Sequence, residues 1–186
     1  NTLIGTAENG HTYPGATSPF GLIQASPETG NDGWKYCSGF NLSDDSIIGF
    51  AQTHLSGTGG PGLGDILLLP FSHDKNSFPY KTKYEKDSQV ATAGYYSVVL
   101  PDENIQVEMT TTQRTAFYRF IYKASDEPRQ LLLDLQNGIA GWGKNVNQLV
   151  LSATMQTPNA CTITGYNDIE AWVHRRCFYA IEFDKP

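Results

Sequence analysis

From Gly94 to the end, the chain repeats short runs in which apolar and polar residues alternate, and no stretch of about 12 residues carries the apolar stripe of an amphipathic helix. A period of two sends successive side chains to opposite faces of a strand. YYSVVL is followed by a turn around PDEN, after which Ile105, Val107 and Met109 alternate with Gln106, Glu108 and Thr110, the pattern of an antiparallel hairpin with one wet face. AFYRFIY, LLLDLQ, QLVLSAT and CTITGY continue the series, and the run from Trp172 to Phe183 sets Cys177, Tyr179, Ile181 and Phe183 on one parity. Eight or more short strands joined by glycine- and asparagine-rich turns predict an all-β chain, a two-layer β-sandwich of mainly antiparallel strands. A length of 186 residues suits one such core.

The amino-terminal half is organised differently. Pro14, Pro19 and Pro27 exclude a long helix over residues 1 to 30, and Phe20, Leu22 and Ile23 are expected to form or begin a strand. Residues 31 to 51 interleave Trp34, Tyr36 and Phe40 with Asp32, Asn41, Asp44 and Asp45. An aromatic face beside carboxylates and amides suits the mixed C–H and hydroxyl surface of a sugar, and it equally seals the edge of a core. Next, QTHLSGTGGPGLGDILLLP joins a glycine-packed loop to an apolar strand over Ile66 to Leu69, closed by Pro70. Gly57, Gly59, Gly60, Gly62 and Gly64 admit backbone angles closed to other residues, and ordering such a loop costs more than 1 kcal/mol per residue, order of magnitude. The loop is either a turn-rich crossover with His54 hydrogen-bonded in the interior, or a polar pocket wall to which His54, Ser56, Thr58 and Asp65 contribute. His11, between Gly10 and Thr12, lies in a loop.

Charge and composition narrow the chemistry. A formal net charge of −6 without a basic cluster opposes nucleic-acid phosphates, so no nucleic-acid partner is expected. No apolar run reaches the length of a membrane-spanning helix. Cys37, Cys161 and Cys177 form no metal-ligand pair and allow one disulfide or three reduced thiols. Acidic residues show no spacing that identifies a catalytic pair, SGTGG lacks a nucleophile elbow, and GTGGPGLG lacks the lysine of a phosphate loop. Asp44, Asp45 and Asp65 are hard oxygen donors of the type calcium takes, without a ligand set that the spacing reveals. His73 followed by Asp74 is a weak metal signal within a polar connection.

Three ordered motifs carry a resemblance. GHTYPGATSPFGLIQASPET, WKYCSGFNLSDDSIIGFAQTHLSGTG and GDILLLP resemble the amino-terminal region of the glycoside hydrolase family 92 exo-acting α-mannosidases, from Asn1 through at least Phe120. The resemblance implies that residues 1–186 are the amino-terminal β-sandwich domain of a longer enzyme whose carboxy-terminal (α/α)6 barrel lies outside this chain. It further implies an active site where the two domains meet and hydrolysis of terminal mannosides of glycans with inversion. Calcium (Ca2+) is implied as a cofactor held mainly by the barrel, which also carries the acid and base, so that no catalytic residue and no metal ligand is expected in this chain. Trp34, His54, Asp32, Cys37 and His11 then become substrate-binding residues, with Gly57, Gly59, Gly60 and Asp65 setting loop geometry. Where relatives often read HTHLSGTG this chain has Gln52, which cannot take up a proton at neutral pH. The alternative is a stand-alone carbohydrate-binding sandwich. Members of the family are typically exported bacterial proteins, implying an extracytoplasmic location. The start at Asn1 and the stop at Pro186 fit a processed piece of something longer. Residues 136 to 148, with Trp142, are expected on the face that the barrel covers.

Overall fold

The computed structural model describes all residues except 73–79, 125, 140–148 and 186, together with the side chain of Leu149. Its strands in chain order are β1 (Ala16–Thr17), β2 (Gln24–Glu28), β3 (Ser46–Ile47), β4 (Gly49–Ala51), β5 (Leu67–Phe71), β6 (Thr82–Lys83), β7 (Glu85–Thr92) and β8 (Tyr95–Leu100). These are followed by β9 (Ile105–Thr111), β10 (Ala116–Tyr122), β11 (Gln130–Asp134), β12 (Leu149–Asn159), β13 (Thr162–Glu170) and β14 (Arg175–Glu182). The helical elements among the described residues are two single 3-10 turns, Trp34–Tyr36 and Pro101–Glu103, neither long enough to cross a membrane.

A five-stranded sheet, ordered β1-β2-β4-β5-β11, faces a four-stranded sheet, β10-β9-β8-β7, and every paired strand runs antiparallel. Ile105, Val107 and Met109 of β9 and Tyr96, Val98 and Leu100 of β8 turn inward against Ala16, Ala25, Phe40, Ile47 and Phe50, while Gln106, Glu108 and Thr110 face outward. The alternation in the sequence is therefore the two sides of one sheet. Burial pushes the phenol of Tyr84, at the rim of this core, up to about 12.

A third sheet, β12-β13-β14, is attached beyond the end of β11, where Asn167 donates to the Leu135 carbonyl at 2.6 Å. Its odd-numbered residues on β14, Cys177, Tyr179 and Ile181, are the less exposed set, as the parity predicts. All three cysteines are free thiols.

Two expectations need correction. Phe20 and Leu22 lie outside any strand: Gly21 donates to the Ser18 carbonyl at 2.9 Å, Phe20 takes φ 56°, and both side chains are exposed before β2 begins at Gln24. Pro19 and Gly21 favour a tight turn over extension here. The apolar strand runs Leu67–Phe71, so Pro70 lies inside it and does not close it. β4 pairs with β5 only at Phe50 and Leu68, while β11 pairs across the whole strand, Pro70 included. Trp142 and His73 fall outside the described residues.

Phe50→Ala, which empties a fully buried site, should cost about 3–5 kcal/mol in urea unfolding. Phe117→Ala, on the outward face of β10, should change stability by no more than about 0.5 kcal/mol; comparable losses for the two would contradict this assignment of faces.

Candidate functional site

The glycine-packed stretch is the hairpin loop between β4 and β5. Gln52 N–H donates to the Asp65 carbonyl at 3.0 Å and Gly64 N–H to the Thr53 carbonyl at 2.7 Å, which closes the stem and leaves residues 54 to 63 as the loop. Gly57 (φ 69°), Gly59 (φ 61°), Leu63 (φ 66°), Gly64 (φ 80°) and Ile66 (φ 58°) all take left-handed backbone angles. Glycine does so freely, whereas a leucine and a β-branched isoleucine are held there at about 1–3 kcal/mol each, a strain that persists only where the surroundings over-determine it.

The surroundings are a buried polar cluster. His54 is fully buried beneath the loop, with Nδ1 2.7 Å from the Gln24 carbonyl and Nε2 3.1 Å from Glu28 Oε1. A carbonyl only accepts, so Nδ1 carries hydrogen, and the second contact is a hydrogen bond only if one more proton lies between ring and carboxylate. The pair therefore traps one proton. Asn137 Nδ2 donates to the other Glu28 oxygen at 2.9 Å and to the Gly64 carbonyl at 2.7 Å, tying the segment after β11 to the loop. Ile139 N–H adds a bond to the Leu63 carbonyl at 2.8 Å. Gln52 is likewise turned inward: its amide donates to the carbonyls of Phe50 and Ile66 at 3.1 and 3.2 Å and accepts from Tyr118 at 3.1 Å. Burial pushes the Tyr118 phenol far up.

Asp65 is buried at the base of the loop. Thr53 Oγ1 donates to one of its oxygens at 2.8 Å, and Arg175 of β14 reaches both at 3.0 and 3.2 Å.

At the rim, three segments of the chain meet. Trp34 opens the 3-10 turn after Gly33, and Lys35 beside it pairs with Asp44. The indole is 42% exposed, and the ring of His11 meets it edge-on with centroids 4.5 Å apart. A Cβ added to Gly59 would lie 3.3 Å from the indole and 3.7 Å from His11 Nδ1, so the loop passes directly against both rings. Gly57 N–H donates to the His11 carbonyl at 2.6 Å. His11 has φ 53° and is buried, yet its Nε2 has no hydrogen-bond partner among the described residues. A buried polar atom left so costs about 1–3 kcal/mol, which is recovered when a donor or acceptor is brought to it.

The residues proposed from sequence thus separate into two groups. Trp34, His11, Gly57 and Gly59 come together at the rim, with Gly60 next to them. Asp32 is exposed nearby, two residues before the turn that carries Trp34. His54 and Cys37 are fully buried, the first as part of the cluster that anchors the loop, the second behind Trp34 with its thiol pushed up by burial. Sequence analysis did not single out Glu28, Asn137, Arg175 or Trp172. Glu28 lies in a strand and Asn137 far along the chain, and nothing local marks either as a partner of His54.

A calcium ion does not fit this chain's own donors. Among the described residues no three histidine, cysteine, aspartate or glutamate side chains gather to hold a metal. Asp65 is engaged by Thr53 and Arg175, Asp44 by Lys35, and Asp45 by Ser46.

The profile of the glycosyl hydrolase family 92 N-terminal domain matches residues 1–186. The structure superposes with a TM-score of 0.90 and 32% identity on a family GH92 α-mannosidase from Bacteroides thetaiotaomicron, solved with and without mannoimidazole, covering all of this chain and 25% of that one. A GH92 family glycosyl hydrolase, ccman5, shares the fold with a TM-score of 0.77 at 22% identity, over 97% of this chain and 25% of its own. An uncharacterised secreted glycosidase of Arthroderma benhamiae is 35% identical over 63% of this chain and 16% of its own length. The chain thus spans a quarter or less of these relatives.

Glu28→Leu, which strands His54 and Asn137, should cost about 3–5 kcal/mol in chemical denaturation. Glu28→Gln, whose amide can donate to a neutral His54 ring, should cost roughly half that or less; equal tolerance of both would show that the trapped proton does not hold the loop.

Proposed function

Because the chain belongs to glycosyl hydrolase family 92, as its N-terminal domain, we propose that it forms one wall of the active site of an exo-acting α-mannosidase that releases terminal mannose from glycans with inversion. The observation that carries this reading is the meeting of His11, Trp34 and the Gly57–Gly59 turn at one rim, where the buried His11 Nε2 has no hydrogen-bond partner among the described residues. Three segments of the chain supply an aromatic face, a hydrogen-bonding nitrogen and close-approaching backbone, which together suit a hexose. A solved relative that matches along the whole of this chain is an α-mannosidase with bound mannoimidazole.

Inversion needs two carboxyl groups placed to leave room for a water between them and the sugar, one protonating the leaving oxygen and one activating that water. The buried carboxylates at this loop are committed elsewhere: Glu28 shares its proton with His54, and Asp65 is paired with Arg175. We therefore assign the acid, the base and the Ca2+ ion to a carboxy-terminal (α/α)6 barrel of the same polypeptide. This chain's part is to hold the terminal mannose against Trp34, to offer polar groups at the rim, and to keep water off one side of the sugar, contributions that act through orientation. Like the secreted fungal glycosidase it resembles, the protein is placed outside the cytoplasm.

The test compares the 186-residue chain with the full-length protein. Full-length protein should release mannose from an α-mannoside, the chain alone should not, and Trp34→Ala in the full-length protein should lower kcat/KM by about tenfold or more. Mannose release by the chain alone would contradict the division of labour. Sugar binding by the chain in calorimetry, coupled with full-length activity indifferent to Trp34→Ala, would instead support the stand-alone binding module.

A further inference from the structure

The turn between β13 and β14 brings a second tryptophan to the same loop. A Cβ added to Gly62 would lie 2.4 Å from the Trp172 ring, so the indole sits directly on the glycine and no other residue could occupy that position without displacing it. Gly62 itself has φ 151° and is buried, while Trp172 is 61% exposed, with exposed Val173 next to it. Three residues after Trp172, Arg175 forms the ion pair with Asp65 that locks this hairpin to the stem of the loop. Trp172 is thus an exposed aromatic on a fixed seat. A rigid, solvent-open aromatic platform loses little entropy when it binds.

The position of the seat points to the partner. Trp34 packs over Gly59 and Trp172 over Gly62, three residues along one loop, a chain distance of at most about 11 Å. One run of glycines therefore carries two exposed indoles, close enough for a ligand of more than one sugar to reach both.

Resting on the mannosidase reading, we infer that Trp172 is a specificity-determining residue: its free face takes the sugar that follows the terminal mannose, so that this hairpin selects glycan over simple mannosides. Arg175 and Asp65 act as positioning residues for it. The aromatic contact exists only when a second sugar is present, so it contributes nothing to a substrate that ends after one mannose.

The full-length protein bearing Trp172→Ala or Trp172→Phe is assayed on an α-linked mannobiose and on α-mannosyl fluoride, whose leaving group is a single atom. The inference predicts that Trp172→Ala lowers kcat/KM on the disaccharide about tenfold, mainly through KM, while fluoride release changes less than about twofold. Trp172→Phe should recover most of the loss. Equal losses on both substrates would overturn it, because they would show that Trp172 props the loop or contacts the companion domain; so would no loss on either. If the unsubstituted full-length protein hydrolyses neither substrate, the mannosidase reading itself fails and this inference falls with it.

Discussion

A single shared proton between His54 and Glu28 underlies the shape of the rim. Without it, a fully buried ring and a fully buried carboxylate would face each other without a hydrogen bond, and the β4–β5 loop would lose its floor. With it, Glu28 also gathers Asn137, and Asn137 gathers Gly64, so that one strand, one loop and the segment after β11 meet at a single carboxylate. The Asp65–Arg175 pair does the same at the other side of the loop, linking it to the third sheet.

This floor accounts for the backbone above it. Leu63 and Ile66 are held at left-handed angles that each would leave if free, and Gly57, Gly59, Gly62 and Gly64 take angles or contacts that would strain a side chain. The result is a loop thin enough for two indoles to rest against it. The left-handed Leu63 and Ile66 and the buried carboxylates Glu28 and Asp65 thus meet at the β4–β5 loop, apart from the apolar core between the two sheets. Loops held in this way by a rigid scaffold commonly carry binding groups.

The strands were legible in proportion to how one-sided their burial is. β9 and β10 each have one wetter face, so their alternation reads directly from the residues. β5 is buried throughout and was legible as an apolar run, but its end was not, because the pairing that tolerates Pro70 comes from β11, some sixty residues later. Phe20 and Leu22 looked like a strand because they are apolar; the adjacent proline and glycine dictate a turn instead. At the site, Trp34 and the glycines were visible as types in a suggestive order. His54 allowed two readings from sequence, interior anchor or pocket wall, and its ring lies in the interior with both nitrogens engaged. Choosing between them needed Glu28, a long-range partner that no local spacing announces.

In the proposed function this sandwich edge touches the sugar while the proton-transferring groups stand opposite it. The most direct measurement is a crystal structure of the full-length protein with an unhydrolysable thio-linked mannobioside. The account predicts the terminal mannose in contact with the Trp34 indole, with the carboxylic acid and base contributed by residues beyond Pro186. A sugar bound wholly within the companion domain, with no atom of this chain's rim against it, would contradict it.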